Sequence, residues 1–276
     1  MTGRVSVTME DGVAEVRMTR ADKLNALDGA MFEALIEAGD RLKGEAGLRA
    51  VVFSGEGPSF CAGLDVATFE LLNAPSTPAP AGAPRRLAAA FEQRSFGIAN
   101  RVQYAVWVWR EVPVPVIAAL HGAVLGTGLQ LSLGADIRYV APDARLAFVE
   151  VDWGLVPDMA TTQLLRGLVR EDLARELIYS CRMFSGAQAV SYGFATRAAA
   201  DPRGEALELA HIIARKSPDA VRAVKRLLNA AVVSEPAAGL VRETEEQVAL
   251  IGSPNQIEAA MANIEQRTPK FTDPAV

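Results

Sequence analysis

The chain has 276 residues, half of them apolar, with a formal charge of −5 at pH 7 and a pI near 5.3. That length can bury one sizeable core and a smaller subdomain, no apolar run approaches the roughly 20 residues of a membrane-spanning helix, and Lys and Arg are scattered rather than striped, which argues against nucleic acid as a partner. Two distant cysteines, Cys61 and Cys181, and two histidines, His121 and His211, supply neither a disulfide framework nor zinc-like ligand spacing, so no metal is expected.

Met1 to Arg4 lead directly into alternating Val5, Val7 and Met9 without the features of a signal peptide, and a cytoplasmic protein is expected. Residues 4–18 read as two strands joined at Glu10-Asp11-Gly12, a hairpin signal. Asp28 can cap a helix with Met31, Leu35, Ala38 and Leu42 inward and Glu33, Glu37 and Arg41 outward. Ala50 to Ser54 reads as a short buried strand stopped by Gly55-Glu56-Gly57-Pro58. The prolines of Ala74 to Pro84 remove donors and fix φ, which predicts a mobile surface loop. A helix is expected from Leu87 to Glu111, carrying Phe91, Trp107 and Trp109 and ended by Pro113 and Pro115. Val116 to Leu120 is a buried strand, followed by a glycine-bearing turn from Gly122 to Gly128 and a helix through Leu129, Leu131 and Leu133.

Strands at Ile137–Val140 and Arg145–Val149 complete an alternation that predicts an α/β fold. Beyond about Pro157 the pattern is mainly helical. Ser185 can cap a short helix ended by Gly193, and amphipathic helices are expected over 203–216, 218–231, 236–251 and 254–266. The division falls near Pro202, giving an α/β core over 1–201 and a helical region over 202–276.

Three segments could carry chemistry. Leu120 to Gln130 is a strand feeding a glycine turn and a helix, which gathers backbone N–H groups where partial positive charge favours a developing oxyanion. Gly126-x-Gly128 is half of a dinucleotide fingerprint, but Leu131 stands where its third glycine would be, so that reading is set aside for either an oxyanion turn or a purely steric one. Ser59-Phe60-Cys61-Ala62-Gly63-Leu64-Asp65 also follows a buried strand, and its small residues allow close approach of a ligand. Glu150 to Asp158 places carboxylates in a connection otherwise poor in charge; two acids near one apolar pocket would have pKa values raised and pushed apart. Asp152 reads as an exposed loop acid. Cys61 reads as a small buried thiol, His121 as a hydrogen-bonded structural histidine, and Trp107, Trp109 and Trp153 as core or pocket wall.

Together these segments resemble the crotonase, or enoyl-CoA hydratase/isomerase, superfamily. The resemblance begins at Arg20-Ala21-Asp22-Lys23-Leu24-Asn25-Ala26-Leu27, similar to the family's CoA-adenine loop, and continues through Phe60 to Asp65, His121 to Gly128, Gly134-Ala135-Asp136-Ile137-Arg138 and Phe184 to Gly193. It implies a crotonase-like fold of repeated ββα units with a helical C-terminal oligomerisation region, assembling as a homotrimer or as a hexamer. It implies an acyl-CoA thioester substrate, with coenzyme A part of the substrate and no further cofactor. It places the main-chain N–H groups of Leu64 and Thr127 in the oxyanion hole, and Lys23, Leu24, Ala26, Ala62, Gly63, Asp65, Gly126 and Gln130 around the substrate. Glu150 matches the second glutamate of the hydratases, but Gln130 stands at the first, and a neutral amide exchanges no proton near pH 7. Glu150 with Asp158 is similar to the dienoyl-CoA isomerases, which implies Glu150 as proton shuttle and Asp158 as the group that tunes it. Isomerisation or hydration of an enoyl-CoA therefore leads. The alternatives are hydrolase- or dehalogenase-type chemistry through Asp158, and a non-catalytic CoA-binding homologue that has lost the first acid.

Overall fold

The computed structural model describes residues 3–68 and 91–274; the expected loop over 74–84 lies outside them. β1 (Val5–Glu10) and β2 (Val13–Met18) pair antiparallel, from Val5 opposite Met18 to Glu10 opposite Val13. Asp11 (φ 48°) and Gly12 (φ 77°) make the two-residue turn. Both take the left-handed conformation whose twist matches a hairpin, which glycine adopts freely and aspartate tolerates.

α1 (Gly29–Lys43) starts where the Asp28 carboxylate accepts a hydrogen bond from Met31 N–H at 2.8 Å, a cap worth about 1 kcal/mol. Met31, Leu35, Ala38 and Leu42 are buried, while Glu33, Glu37 and Arg41 face water. β3 (Ala50–Gly55) runs parallel to β2 and is buried at every residue, which explains why its sequence is a run of apolar residues and not an alternation.

The helix expected over Leu87–Glu111 is not continuous: α2 spans Arg101–Glu111. Phe96 and Ala99 pair across a turn at Gly97 (φ 61°), and Asn100 then opens a new helix. The Asn100 side chain accepts from Gln103 N–H, and the Gln103 side chain accepts from Asn100 N–H. This capping box satisfies two of the donors that a helix start leaves without intrahelical acceptors, so the local start prevails over the longer apolar periodicity.

β4 (Val116–Leu120), β6 (Ile137–Val140) and β9 (Arg197–Ala198) extend the large sheet, whose order is β1-β2-β3-β4-β6-β9. β5 (Ala123–Leu125), β7 (Arg145–Ala147) and β8 (Phe184–Ser185) form a second sheet in the order β5-β7-β8. Part of the expected glycine turn is thus a strand, and the strand expected over 145–149 ends at Ala147. The repeat is plain: β4 joins the large sheet and β5 the small one before α3 (Thr127–Ser132), and β6 and β7 repeat the division. Between the large sheet and α1 and α2, Phe53 stacks on Trp109 at 4.9 Å and meets Phe60 edge-on at 5.5 Å. Such pairs add about 1 kcal/mol each beyond area burial.

Four further elements follow: α4 (Thr161–Leu164), α5 (Glu171–Ser180), α6 (Gly186–Tyr192) and α7 (Pro202–Ala214). Ser185 caps α6 in a second capping box with Gln188, and Gly193 (φ 89°) stops it. α7 lies on the large sheet and buries Ala206 and Ala210 beside Val52, Ile117 and Tyr139. Its N-cap is Asp201, whose carboxylate accepts from Gly204 N–H at 3.0 Å. α8 (Pro218–Ala231), α9 (Pro236–Leu250) and α10 (Pro254–Ile264) complete the chain. With α7, each begins with proline in its first turn, where the missing N–H costs no helical bond. Among the described residues no helix is long and apolar enough to cross a membrane.

Candidate active site

The loop over 20–27 is anchored from within. Leu24 (φ 49°) and Asn25 (φ 55°) both take the left-handed conformation. Asn25 is fully buried; its Oδ1 accepts from Arg20 N–H at 2.9 Å, and its Nδ2 donates to Glu56 O and Ser59 O, each at 2.9 Å. Those bonds offset the backbone strain and tie this loop to the loop carrying Cys61 to Asp65. Arg20 makes a second tie: its Nη1 meets Asp65 Oδ2 at 2.5 Å and Ala26 O at 3.0 Å. The guanidinium holds the Asp65 carboxyl below the usual carboxylate range. Asp65 is thus engaged with Arg20, while Lys23 and Leu24 are exposed and Ala26 is half-buried.

The second loop is a scaffold for free N–H groups. Cys61 N–H donates to Ala123 O at 3.0 Å, Ala62 N–H to Leu24 O at 2.9 Å, and Asp65 N–H to Leu27 O at 3.0 Å. Leu125 N–H and Leu27 N–H in turn donate to the carbonyls of Cys61 and Gly63. Leu64 N–H has no partner among the described residues, and neither has that of Thr127, which as the first residue of α3 has no intrahelical acceptor. Two glycines bring these segments together. Gly63 (φ 106°) packs on Leu125, where a Cβ would sit 3.1 Å from Leu125 O and 4.0 Å from Thr127 Oγ1. Gly128 packs on Cys61, and a Cβ there would overlap the Cys61 carbonyl. Cys61 itself is fully buried, and burial pushes its thiol up to about 12, an inert group. His121 lies within hydrogen-bond distance of Gly57 O at 2.9 Å, a structural contact.

The third segment brings in the acids. Glu150 is 8 % exposed and Gln130 is fully buried. Gln130 Nε2 donates to Glu150 Oε1 at 2.6 Å, and Val149 N–H donates to Glu150 Oε2 at 3.0 Å. Burial raises the Glu150 carboxyl above the ordinary glutamate value, hydrogen bonds from its own backbone, from Gln130 and from Val149 oppose that rise, and the negative charge of Asp158 adds to it. Burial likewise raises Asp158. Asp152 is exposed. Gly126 (φ 49°) lies against Glu150: a Cβ there would stand 3.1 Å from Glu150 Oε1 and 2.9 Å from Val149 Cγ2. Only glycine lets the turn that precedes Thr127 approach the carboxyl so closely.

The geometry thus joins a buried carboxyl, Glu150, with a second raised acid, Asp158, whose charge acts on it, and with the turn before Thr127 packed against the first. That combination suits proton transfer beside a developing oxyanion. Gln130, expected around the substrate, is hydrogen-bonded to Glu150. Sequence reading did not single out Arg20 and Asn25, although both stand in the first motif and an asparagine is well suited to φ > 0. It also missed Thr161, whose hydroxyl donates to Gln130 Oε1 at 2.7 Å, and Met159, whose N–H donates to the same oxygen at 2.9 Å. Neither has a signal in the sequence, because both contacts span about 30 residues.

Residues 13–275 match the family model for enoyl-CoA hydratase/isomerase. The chain is 31% identical over 267 residues to "Enoyl-CoA hydratase domain-containing protein 2, mitochondrial" of Bos taurus, covering 94% of this chain and 84% of that protein. Among solved structures, an enoyl-CoA hydratase from Bacillus anthracis superposes with a TM-score of 0.85 at 28% identity, covering 97% of this chain and 98% of the other. An enoyl-CoA hydratase from Polaromonas sp. JS666 also gives 0.85, at 26% identity over 97% and 99%.

Proposed function

This chain belongs to the enoyl-CoA hydratase/isomerase family of enzymes and has the crotonase fold, and from that premise we propose that it isomerises the double bond of an enoyl-CoA with Glu150 as its single proton shuttle. The thioester oxygen sits between Leu64 N–H and Thr127 N–H. Glu150 takes a proton from carbon as the C–H electron pair moves into the enolate, the two N–H groups hold the charge on oxygen, and the same carboxyl returns the proton two carbons away. No atom is gained or lost. One preorganised donor of this kind is typically worth roughly 10²–10³ in rate.

The observation that carries this reading is the bond from Gln130 Nε2 to Glu150 Oε1. Hydration by paired carboxylates needs a second titrating group at that place, and an amide is not one. Burial raises the Asp158 carboxyl and its charge in turn raises Glu150, which suits tuning of Glu150. The loop over 20–27, with Lys23 exposed on it, addresses the nucleotide end of coenzyme A, and Ala62, Gly63 and Gly126 leave room for the thioester. Ile212, Leu228, Val248 and Ile257 are exposed in the single chain, and a cavity of about 1030 Å³ away from the acids is lined by Trp107, Val224 and Leu228. Apolar area of this kind favours self-association through the C-terminal helices, as a trimer or a pair of trimers.

Calorimetry with a non-reactive acyl-CoA analogue tests the substrate class. The thioester is expected to bind at least about 100-fold more tightly than the free acid of the same chain, because the acid lacks both the nucleotide and the polarised carbonyl. Equal affinity for the two would remove coenzyme A from the account.

A further inference from the structure

Three buried contacts converge on Gln130 with a defined polarity. Met159 N–H can only donate, so the Gln130 atom it meets at 2.9 Å is the amide oxygen. Thr161 is 1 % exposed, and because its hydroxyl meets that same oxygen at 2.7 Å it too must donate. With its oxygen held by two donors, the amide has one orientation, and its nitrogen faces Glu150 Oε1 at 2.6 Å. A nitrogen of this type only donates, so Oε1 must accept. Glu150 Oε2 also accepts, from Val149 N–H at 3.0 Å.

We propose that Thr161 is a positioning residue, acting through Gln130 to hold Glu150 Oε1 in a fixed hydrogen bond and so fix the orientation of the carboxyl that takes and returns the substrate proton. The proposal rests on the shuttle role given to Glu150 above. It gives a glutamine here a use beyond the loss of an acid: a carboxyl held in one orientation meets the carbon with the same geometry on removal and on return. Charged neighbours do not blur the arrangement. Asp158 is the charged group that acts on Glu150. The acids of α5, which packs against the turn after Glu150, pair with arginines at the surface: Glu171 with Arg175, Asp172 with Arg170 and Glu176 with Arg182.

The test is an infrared titration of the protonated Glu150 carboxyl on the whole protein, its band assigned by loss in Glu150→Gln. Thr161→Val keeps the shape of the side chain and removes the donor. The amide is then held by Met159 alone, its bond to the carboxylate loosens, and the midpoint of the Glu150 band is expected to rise by about one pH unit, with kcat falling roughly tenfold and KM nearly unchanged. Thr161→Ser restores the donor and is expected to return the midpoint to that of the wild type. A Thr161→Val midpoint equal to the wild type, or a Thr161→Ser shift as large as that of valine, overturns the proposal. Should Thr161→Val fail to fold, the wild-type protein decides the matter. The Gln130 amide band, labelled with carbon-13 and assigned by its loss in Gln130→Met, is expected to move in step with Glu150 protonation, and a band indifferent to it overturns the relay. Because the titration needs no turnover, a wild-type protein without isomerase activity but with the expected midpoints would contradict the proposed reaction and leave the relay standing.

Discussion

Glu150→Gln is expected to lower isomerisation by about 10³-fold or more while leaving the affinity for a non-reactive acyl-CoA within about twofold of the wild type, in line with the 10²–10⁴-fold typical of general acid–base assistance. The substitution is isosteric, and its amide oxygen can still accept the bond that Gln130 Nε2 donates at 2.6 Å. The oxyanion donors and the loop over 20–27 are untouched, so binding and chemistry separate. The wild-type pH profile supplies the sign. Burial raises Glu150, the active form is the carboxylate, and so the rate should fall with decreasing pH at a value above that of an ordinary glutamate. Glu150→Gln should show no such limb in its residual rate. Undiminished turnover in this variant would mean that another group moves the proton.

Gln130→Glu is expected to act in opposite directions on two reactions. Met159 N–H and Thr161 O–H would receive one oxygen of the new carboxylate as well as they receive the amide oxygen. Its other oxygen would then face Glu150 Oε1 at about the 2.6 Å now bridged by a donor, and two carboxylates that close cannot both ionise. The pair should bind one shared proton at neutral pH and titrate as a unit. Glu150 is then no longer free to cycle a proton, and isomerisation is expected to fall by about 10- to 100-fold. Water addition to a short enoyl-CoA should rise, since a second titratable group has been restored at the place the paired mechanism needs, and general acid–base assistance of this kind is worth roughly 10²–10⁴ when fully realised. Parallel assays of both reactions on matched substrates decide it: isomerisation that is unchanged would show that Gln130 does not govern the state of Glu150.

Much of the fold was legible where the signal is local. Asp11-Gly12 named a two-residue turn because few residue pairs take two left-handed conformations in succession. Asp28 and Ser185 named helix starts, and Gly193 a helix end, because caps act within three or four residues. The break before Asn100 was misread for a related reason: apolar periodicity ran through it, and the Asn100–Gln103 box that marks the new start was overlooked. The division of strands between two sheets was not legible at all. Ala123–Leu125 and Arg145–Ala147 are three residues each, too short to show a period, and their pairing depends on contacts distant in sequence.

The site divides along the same line. Leu64, Thr127, Glu150 and Asp158 were reached through motifs, and the structure puts the segments that hold the first three side by side through Gly63, Gly126 and Gly128. That Gln130 is oriented by Met159 and Thr161, and that Asp65 is engaged by Arg20, could not be read from spacing, because side-chain partners across 29 to 45 residues are set by tertiary packing.

The central claim is that one carboxyl removes a proton from an enoyl-CoA and returns it to the same molecule. Incubating the wild-type enzyme with an enoyl-CoA in deuterium oxide and following the product by mass spectrometry tests it directly. The account predicts an isomer in which the double bond has moved, carrying deuterium at carbon only to the extent that Glu150 exchanges its proton with solvent before return, with no mass of water added and with all of this lost in Glu150→Gln. A product that has gained the elements of water as its main species, or a substrate recovered with its double bond unmoved across a panel of chain lengths, would contradict it.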